Sequence, residues 1–149
     1  MEQSSFITPK GFEVILTHES CNEHNEYFLE KLQDLNSGKH GRDIKNSLPD
    51  VHGVIWARVN DNIAGALFYD LERSKESGGV WVVLAYVDPA YRQQGIYKEL
   101  HNKVSALTKE LGRNKVVTWF NLNNQKMFQI GKSVGYKGVM VIMERRLDE

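Results

Sequence analysis

The sequence predicts an α/β fold: a mixed central sheet flanked by helices. Three observations carry that reading. Strand-like and helix-like periodicities alternate along the chain. The run Val80–Val87 is apolar almost throughout and rich in β-branched and aromatic residues, as a strand covered on both faces requires. Two amphipathic stripes at helical spacing need a surface on which to dock.

The elements follow in order. Residues 12–18 read as a first strand. Ser20 and Glu23 then form a capping-box pattern that predicts a helix running to about Leu35, with Cys21, Phe28, Leu32 and Leu35 on its docking face. Val51–Asn60 and Ile63–Leu71 read as a hairpin turning at Asp61-Asn62, residue types that tolerate positive φ. Val80–Val87 is expected in the middle of the sheet. Asp88-Pro89 disfavours helix at Asp88, after which Ile96, Leu100, Val104, Leu107 and Leu111 make a second helical stripe ended by Gly112. Lys115–Asn121 is then a strand, Asn124–Val134 a short helix stopped at Gly135, and Val139–Leu147 a closing strand.

Composition limits the function. A chain of 149 residues buries roughly 70% of its unfolded surface, so a single domain spanning 1–149 is expected. The 19 basic and 19 acidic residues cancel, leaving no long-range field to draw in nucleic acid or an anionic membrane, and neither is expected as a partner. The first residues lack the basic flank and apolar core of a signal peptide, and no apolar run approaches the ~20 residues of a bilayer span. With a single cysteine, Cys21, a reducing, cytoplasmic setting is expected.

The segment richest in chemistry runs from Leu84 to Tyr97: a strand, a proline turn and a helix beginning near Gly95. The unpaired N–H groups of a helix's first turn and the positive end of its macrodipole make an anion site there. Gly95 lets an oxyanion approach the backbone, and Arg92 adds a charged donor.

This segment resembles the core motif of the GNAT (GCN5-related N-acetyltransferase) superfamily, Val-x-Pro-x-x-(Arg/Gln)-x-x-Gly-x-(Gly/Ala), here as Val87, Pro89, Arg92 and Gly95. The hairpin Ala57–Gly65 is similar to the family's second and third strands, and Asn124 followed by Gly135-Tyr136 to its second motif. The resemblance implies the GNAT acyl-CoA N-acyltransferase fold and an enzyme that moves acetyl from acetyl-CoA to an amine by direct attack. It implies pantetheine pairing with the backbone of Ala85 and Val87, and pyrophosphate lying across the N–H groups of Arg92, Gln93, Gln94, Gly95, Ile96 and Tyr97. Asn124 joins the cofactor site, and the N–H of Val87 is the catalytic donor to the thioester carbonyl. No metal is implied, and a homodimer is left open.

Two departures from the pattern define a rival reading, a GNAT-fold module that binds CoA or a protein without catalysis. Tyr97 stands where the motif ends in Gly or Ala. Gly131 stands where many members carry a tyrosine that protonates the leaving thiolate. A thiolate of pKa ~8.5 leaves tolerably without an acid, with water, Tyr86, Tyr97 and Tyr136 as candidate substitutes. Acceptor deprotonation is harder: about 4.6 kcal/mol for a lysine at neutral pH against about 1 for an α-amine. The sequence assigns no base; Trp81 and Val82 occupy the expected positions, with Asp70 and Glu72 farther off. Trp56, Tyr86 and Trp119 could floor an acceptor pocket, although strand aromatics are more often core.

Other patterns are weaker. Gly131-Lys132-Ser133 imitates the end of a P-loop, but Lys126 stands where its first glycine belongs. His18, Cys21 and His24 are spaced for metal ligation only if one helix carries them. Lys98, His101 and Asn102 fall on the expected solvated face, where Lys98 could reach a phosphate.

Overall fold

The computed structural model describes residues 2–21, 23–36, 49–119 and 125–140, together with Met143, Arg145 and Leu147. The chain packs as two compact units, Met1–Thr118 and Trp119–Glu149. In the first, β1 (Glu2–Ile7), β2 (Glu13–Ser20), β3 (Gly53–Val59), β4 (Asn62–Asp70), β5 (Gly79–Val87) and β6 (Lys115–Val117) form one sheet in that order. Pairing is antiparallel from β1 to β5 and parallel between β5 and β6. The parallel pair needs a crossover, supplied by α2 (Ile96–Glu110). Helix α1 (Glu26–Asn36) lies between β2 and β3 in sequence.

Several expected elements shift. β1 begins with a polar run, Gln3, Ser4 and Ser5, all exposed, which carries no strand pattern; it is an edge strand held by pairing with β2 and by Phe6 against the core. Ser20 does not open a helix. It pairs with Gly53 as the end of β2, and Cys21 N–H donates to His52 O at 3.1 Å. The cap of α1 is Asn25, whose Oδ1 accepts from Phe28 N at 2.8 Å. The hairpin turns at Asn60-Asp61 rather than Asp61-Asn62, with φ of 49° and 67°, the paired positive values of a type I′ turn.

β5 is covered on both faces as expected, but it lies next to the sheet edge, and β3 and β4 are the central strands. Its apolar run reports two covered faces, not a central position. Helix α2 buries Ile96, Leu100 and Val104; Leu111, expected on the same stripe, is exposed because the helix ends at Glu110.

The core has two layers. Toward α2 lie Val14, Leu16, Ile55, Leu67, Val80 and Val82 with the helix's own Ile96, Leu100 and Val104. Toward α1, Phe28 and Leu32 pack on Val54, Trp56, Phe68 and Leu84. Gly53 is required on the first side: a Cβ there would stand 2.1 Å from the Tyr69 hydroxyl, which is hydrogen-bonded to His18 Nε2 at 2.5 Å.

In the second unit α3 (Gln125–Ser133) ends with Tyr136 N–H donating to Gly131 O at 3.0 Å, and Gly135 takes φ of 101°. The described residues of the expected closing strand, Val139, Met140, Met143, Arg145 and Leu147, lie in irregular backbone. The expected strand from Lys115 ends at Val117. Among the described residues no helix is long and apolar enough to cross a membrane.

Candidate functional site

The site starts from a mismatch in strand length. β5 has nine residues and β6 three, so their pairing covers only Gly79, Val80 and Trp81. Thr118 Oγ1 adds one bond to Val82 O at 3.3 Å. Beyond that, among the described residues, no strand pairs with this edge of β5.

The other edge stays paired to its end, at Gly65 opposite Val87, and Asp88 N–H donates to Ala64 O at 2.8 Å. In an antiparallel strand the N–H and C=O of one residue point to the same side, and successive residues alternate. Tyr86 therefore pairs toward β4, while the backbone groups of Ala85 and Val87 face the open edge. The register shifts between Phe68 and Tyr69, leaving Val83 with no residue opposite it. Such a bulge locally bends the strand and increases its twist.

The chain then makes a tight turn into α2. Asp88 Oδ1 accepts from Ala90 N at 2.9 Å, and Pro89–Tyr91 form a 3-10 turn. Gln93 and Gly95 take φ of 63° and 82°. Gly95 is the N-cap, and a Cβ on it would meet nothing within 4 Å. Its glycine is demanded by the left-handed backbone, and the empty space around it is open to a ligand. The first helical bond runs from Glu99 N to Gly95 O at 3.1 Å. Ile96, Tyr97 and Lys98 thus present first-turn N–H groups without helical acceptors, at the positive end of a 15-residue helix.

The side chains around this turn divide. Gln94 is buried and turned inward, its Oε1 accepting from Lys10 N at 3.2 Å, so only its backbone is offered outward. Arg92 Nε donates to Val87 O at 3.0 Å, and its guanidinium lies 5.7 Å from the centre of the Tyr86 ring. Lys98 is exposed. Tyr97 is turned aside: its ring packs against the α2 core and lies 4.3 Å from the His101 ring. Burial pushes the Tyr97 hydroxyl up to about 12. His101, expected at the surface, is 3% exposed, and burial lowers it to about 4, so it is neutral at pH 7. Asn124 lies outside the described residues.

A second group sits on the α1 face at the same end of β5; the sequence singled out its Trp56 and Tyr86 as a candidate floor of an acceptor pocket, but not Tyr27, Lys31 or Glu19. Tyr27 packs edge-on to Trp56 at 5.3 Å and stacks on Phe68 at 6.4 Å. The Lys31 ammonium lies 4.8 Å from the Tyr86 ring centre and 5.5 Å from that of Tyr27, its side chain only 16% exposed. Trp56 Nε1 donates to Glu19 Oε1 on β2. The sequence signal that could have added Tyr27 and Lys31 is their i, i+4 spacing, which brings them together on one helix face.

The remaining candidates disperse. His18 bonds to Tyr69, Cys21 Sγ to Glu23 O at 3.1 Å and His24 Nε2 to Pro49 O at 2.6 Å, so three possible ligands serve three different partners. Gly131-Lys132-Ser133 closes α3 instead of opening a helix, the reverse of a phosphate loop. Trp119 is 46% exposed.

An open strand edge leading through a proline turn to a left-handed glycine and a bare helix start is the arrangement that the sequence motif implied. Residues 14–135 match the model of the acetyltransferase (GNAT) family. The chain belongs to the GNAT family. Its fold is that of GNAT acyltransferases of known structure. It aligns with the aminoglycoside N-acetyltransferase AAC(6')-Iy in complex with CoA at a TM-score of 0.65 and 19% identity, over 95% of this chain and 99% of that one. It aligns with an aminoglycoside acetyltransferase from an uncultured soil metagenomic sample at 0.62 and 18%, over 89% and 96%. An integron cassette protein from the mobile metagenome of V. cholerae aligns at 0.62 and 16%, over 89% and 91%. Likeness at these identities shows the fold alone. No curated protein matches the chain in sequence.

Proposed function

We propose that this GNAT protein transfers acetyl from acetyl-CoA to an amine by direct attack. The observation that carries the proposal is the open edge of β5, where the backbone groups of Ala85 and Val87 lead to the unpaired N–H groups at the start of α2. The pantetheine arm, which carries two amides, pairs with Ala85 and Val87. The pyrophosphate accepts from the backbone between Arg92 and Tyr97, at the helix's positive end. Asn124 joins this site by the family resemblance.

The N–H of Val87 donates to the thioester oxygen and strengthens its bond as negative charge gathers there, which lowers the barrier more than it tightens ground-state binding. The ring of Tyr97 is withdrawn into the core, which supports cofactor binding over the closed, non-catalytic alternative. Glu19, which accepts from the Trp56 indole on the α1 face, is the candidate to receive the acceptor's proton.

Calorimetric titration tests this reading. Acetyl-CoA is expected to bind with micromolar affinity and ATP not at all. Gly95→Glu, which sets a carboxylate at the pyrophosphate seat, is expected to abolish acetyl-CoA binding. Unchanged affinity in that variant removes the site from the turn.

A further inference from the structure

Tyr27 carries a hydroxyl that the fold does not use. Its ring packs on Trp56 and Phe68, but its oxygen is buried and has no hydrogen-bond partner among the described residues. Phenylalanine would fill the same space without leaving a polar atom unpaired, a defect that ordinarily destabilises a protein. A buried, unpaired donor kept at the end of β5 calls for a ligand atom.

The surroundings say what kind of atom. The Lys31 ammonium and the Arg92 guanidinium both lie over the Tyr86 ring, at 4.8 and 5.7 Å. The neighbouring acids are engaged: Glu30 with Lys31 at 3.3 Å, and Asp88 with Ala90 N at 2.9 Å. Two cations thus border the Tyr86 ring, while Asp88 and Glu30 bring negative charge toward the hydroxyl, so what this place offers a ligand is a hydrogen-bond donor and not a positive field. Burial raises the Tyr27 hydroxyl above the ordinary tyrosine range, and the charges of Tyr86, Asp88 and Glu30 push it the same way. It keeps its proton at any working pH and can act only as a neutral hydrogen-bond donor or acceptor. Tyr86 stands between Ala85 and Val87, so this cluster shares its stretch of β5 with the proposed thioester seat.

We infer that Tyr27 donates a hydrogen bond to the coenzyme sulfur as the thiolate leaves. The inference rests on the acetyl-transfer reading above. In the step, the amine nitrogen bonds to the carbonyl carbon and the carbon–sulfur bond breaks with its electron pair on sulfur. The proton lost by nitrogen later neutralises the thiolate through solvent. Tyr27 gives up no proton: its raised pKa makes transfer to a thiolate of pKa ~8.5 steeply uphill, while a hydrogen bond to the forming charge costs nothing of the kind.

The test needs no acceptor. CoA and desulfo-CoA are titrated into the wild-type protein and Tyr27→Phe, and the ultraviolet absorbance of the bound thiolate is followed as pH crosses about 8.5. The wild-type protein is expected to bind the thiolate roughly tenfold more tightly than the thiol, so that the bound sulfur titrates about one unit lower than in Tyr27→Phe. Desulfo-CoA is expected to bind both proteins alike. Equal thiol titration in the two proteins overturns the inference and leaves the cofactor site standing. Failure of the wild-type protein to bind CoA overturns both readings, and loss of desulfo-CoA binding in Tyr27→Phe overturns the inference alone. A Tyr27→Phe chain that melts well below the wild type also overturns the inference, since the hydroxyl would then serve the fold.

Discussion

The two faces of the sheet are built from different side chains. Under α2 the core is aliphatic, and several polar groups that enter it have close partners: Thr108 Oγ1 donates to Val104 O at 2.7 Å, Tyr69 meets His18, Gln94 meets Lys10, and the His101 ring packs on Tyr97. Under α1 the core is aromatic, with the rings of Tyr27, Trp56, Phe68 and Tyr86, a nearly covered lysine and an unpaired hydroxyl. Both faces flank the same open strand. The contrast sets an aliphatic scaffold under α2 against an aromatic layer under α1 whose Tyr27 hydroxyl, on the inference above, is kept for a ligand.

The sharpest way to break that contrast is to damage the α2 face. Leu100 is fully buried against β-strand side chains, so Leu100→Ala is expected to cost about 2–5 kcal/mol, read from the urea midpoint at constant slope. A loss under about 1 kcal/mol would mean that this layer collapses easily and is not the scaffold.

The second test is acid. His101 on α2 is lowered to about 4 by burial, against about 6.5 in the unfolded chain. Between those values the unfolded state binds a proton that the folded state refuses, so stability rises with pH across that window and is lost as pH falls through it. The full loss is roughly 3 kcal/mol. Unfolding free energies measured at pH 7 and pH 4 are expected to converge in His101→Gln, apart from the carboxylates' own contribution. An undiminished acid loss in that variant would place the sensitive group elsewhere.

Much of this was legible in the sequence because the anion turn is written in residues with narrow conformational roles. Pro89 and Gly95 punctuate the chain, Val80–Val87 can hardly be anything but a covered strand, and a helix stripe beginning at Ile96 fixes where the bare N–H groups fall. On the α1 face Trp56 and Tyr86 were singled out, but their grouping with Glu19 and Tyr27 was not legible, because nothing local brings these residues together; strand pairing joins Glu19, Trp56 and Tyr86 across 67 residues of sequence separation from Glu19 to Tyr86. The capping-box pattern at Ser20 failed because pairing with Gly53 competes for the same backbone. β1 was missed because an edge strand can be held largely by backbone bonds, so that the polar run Gln3-Ser4-Ser5 hides it and Phe6 alone reaches the core.

Gly95 lies where the faces meet, and its effect is smaller. With open space around a Cβ and φ of 82°, Gly95→Ala is expected to cost only the left-handed strain, about 1–2 kcal/mol. Differential scanning calorimetry checks this; a larger loss would mean that the turn is packed more closely than its empty surroundings imply.

The smallest expected change in stability is at Tyr27, and there the sign matters more than the size. If the α1 face sacrifices stability for a ligand, Tyr27→Phe removes an unpaired buried oxygen and leaves the ring contacts with Trp56 and Phe68 intact. The unfolding free energy of the ligand-free protein should then stay level or rise by up to about 1 kcal/mol. CoA binds only the folded state and so adds stability in proportion to its affinity. Above the thiol's pKa this gain should be larger in the wild type, whose hydroxyl then has a partner. A single variant that is the more stable protein when empty and the less stabilised one when loaded separates a ligand-directed hydroxyl from a structural one.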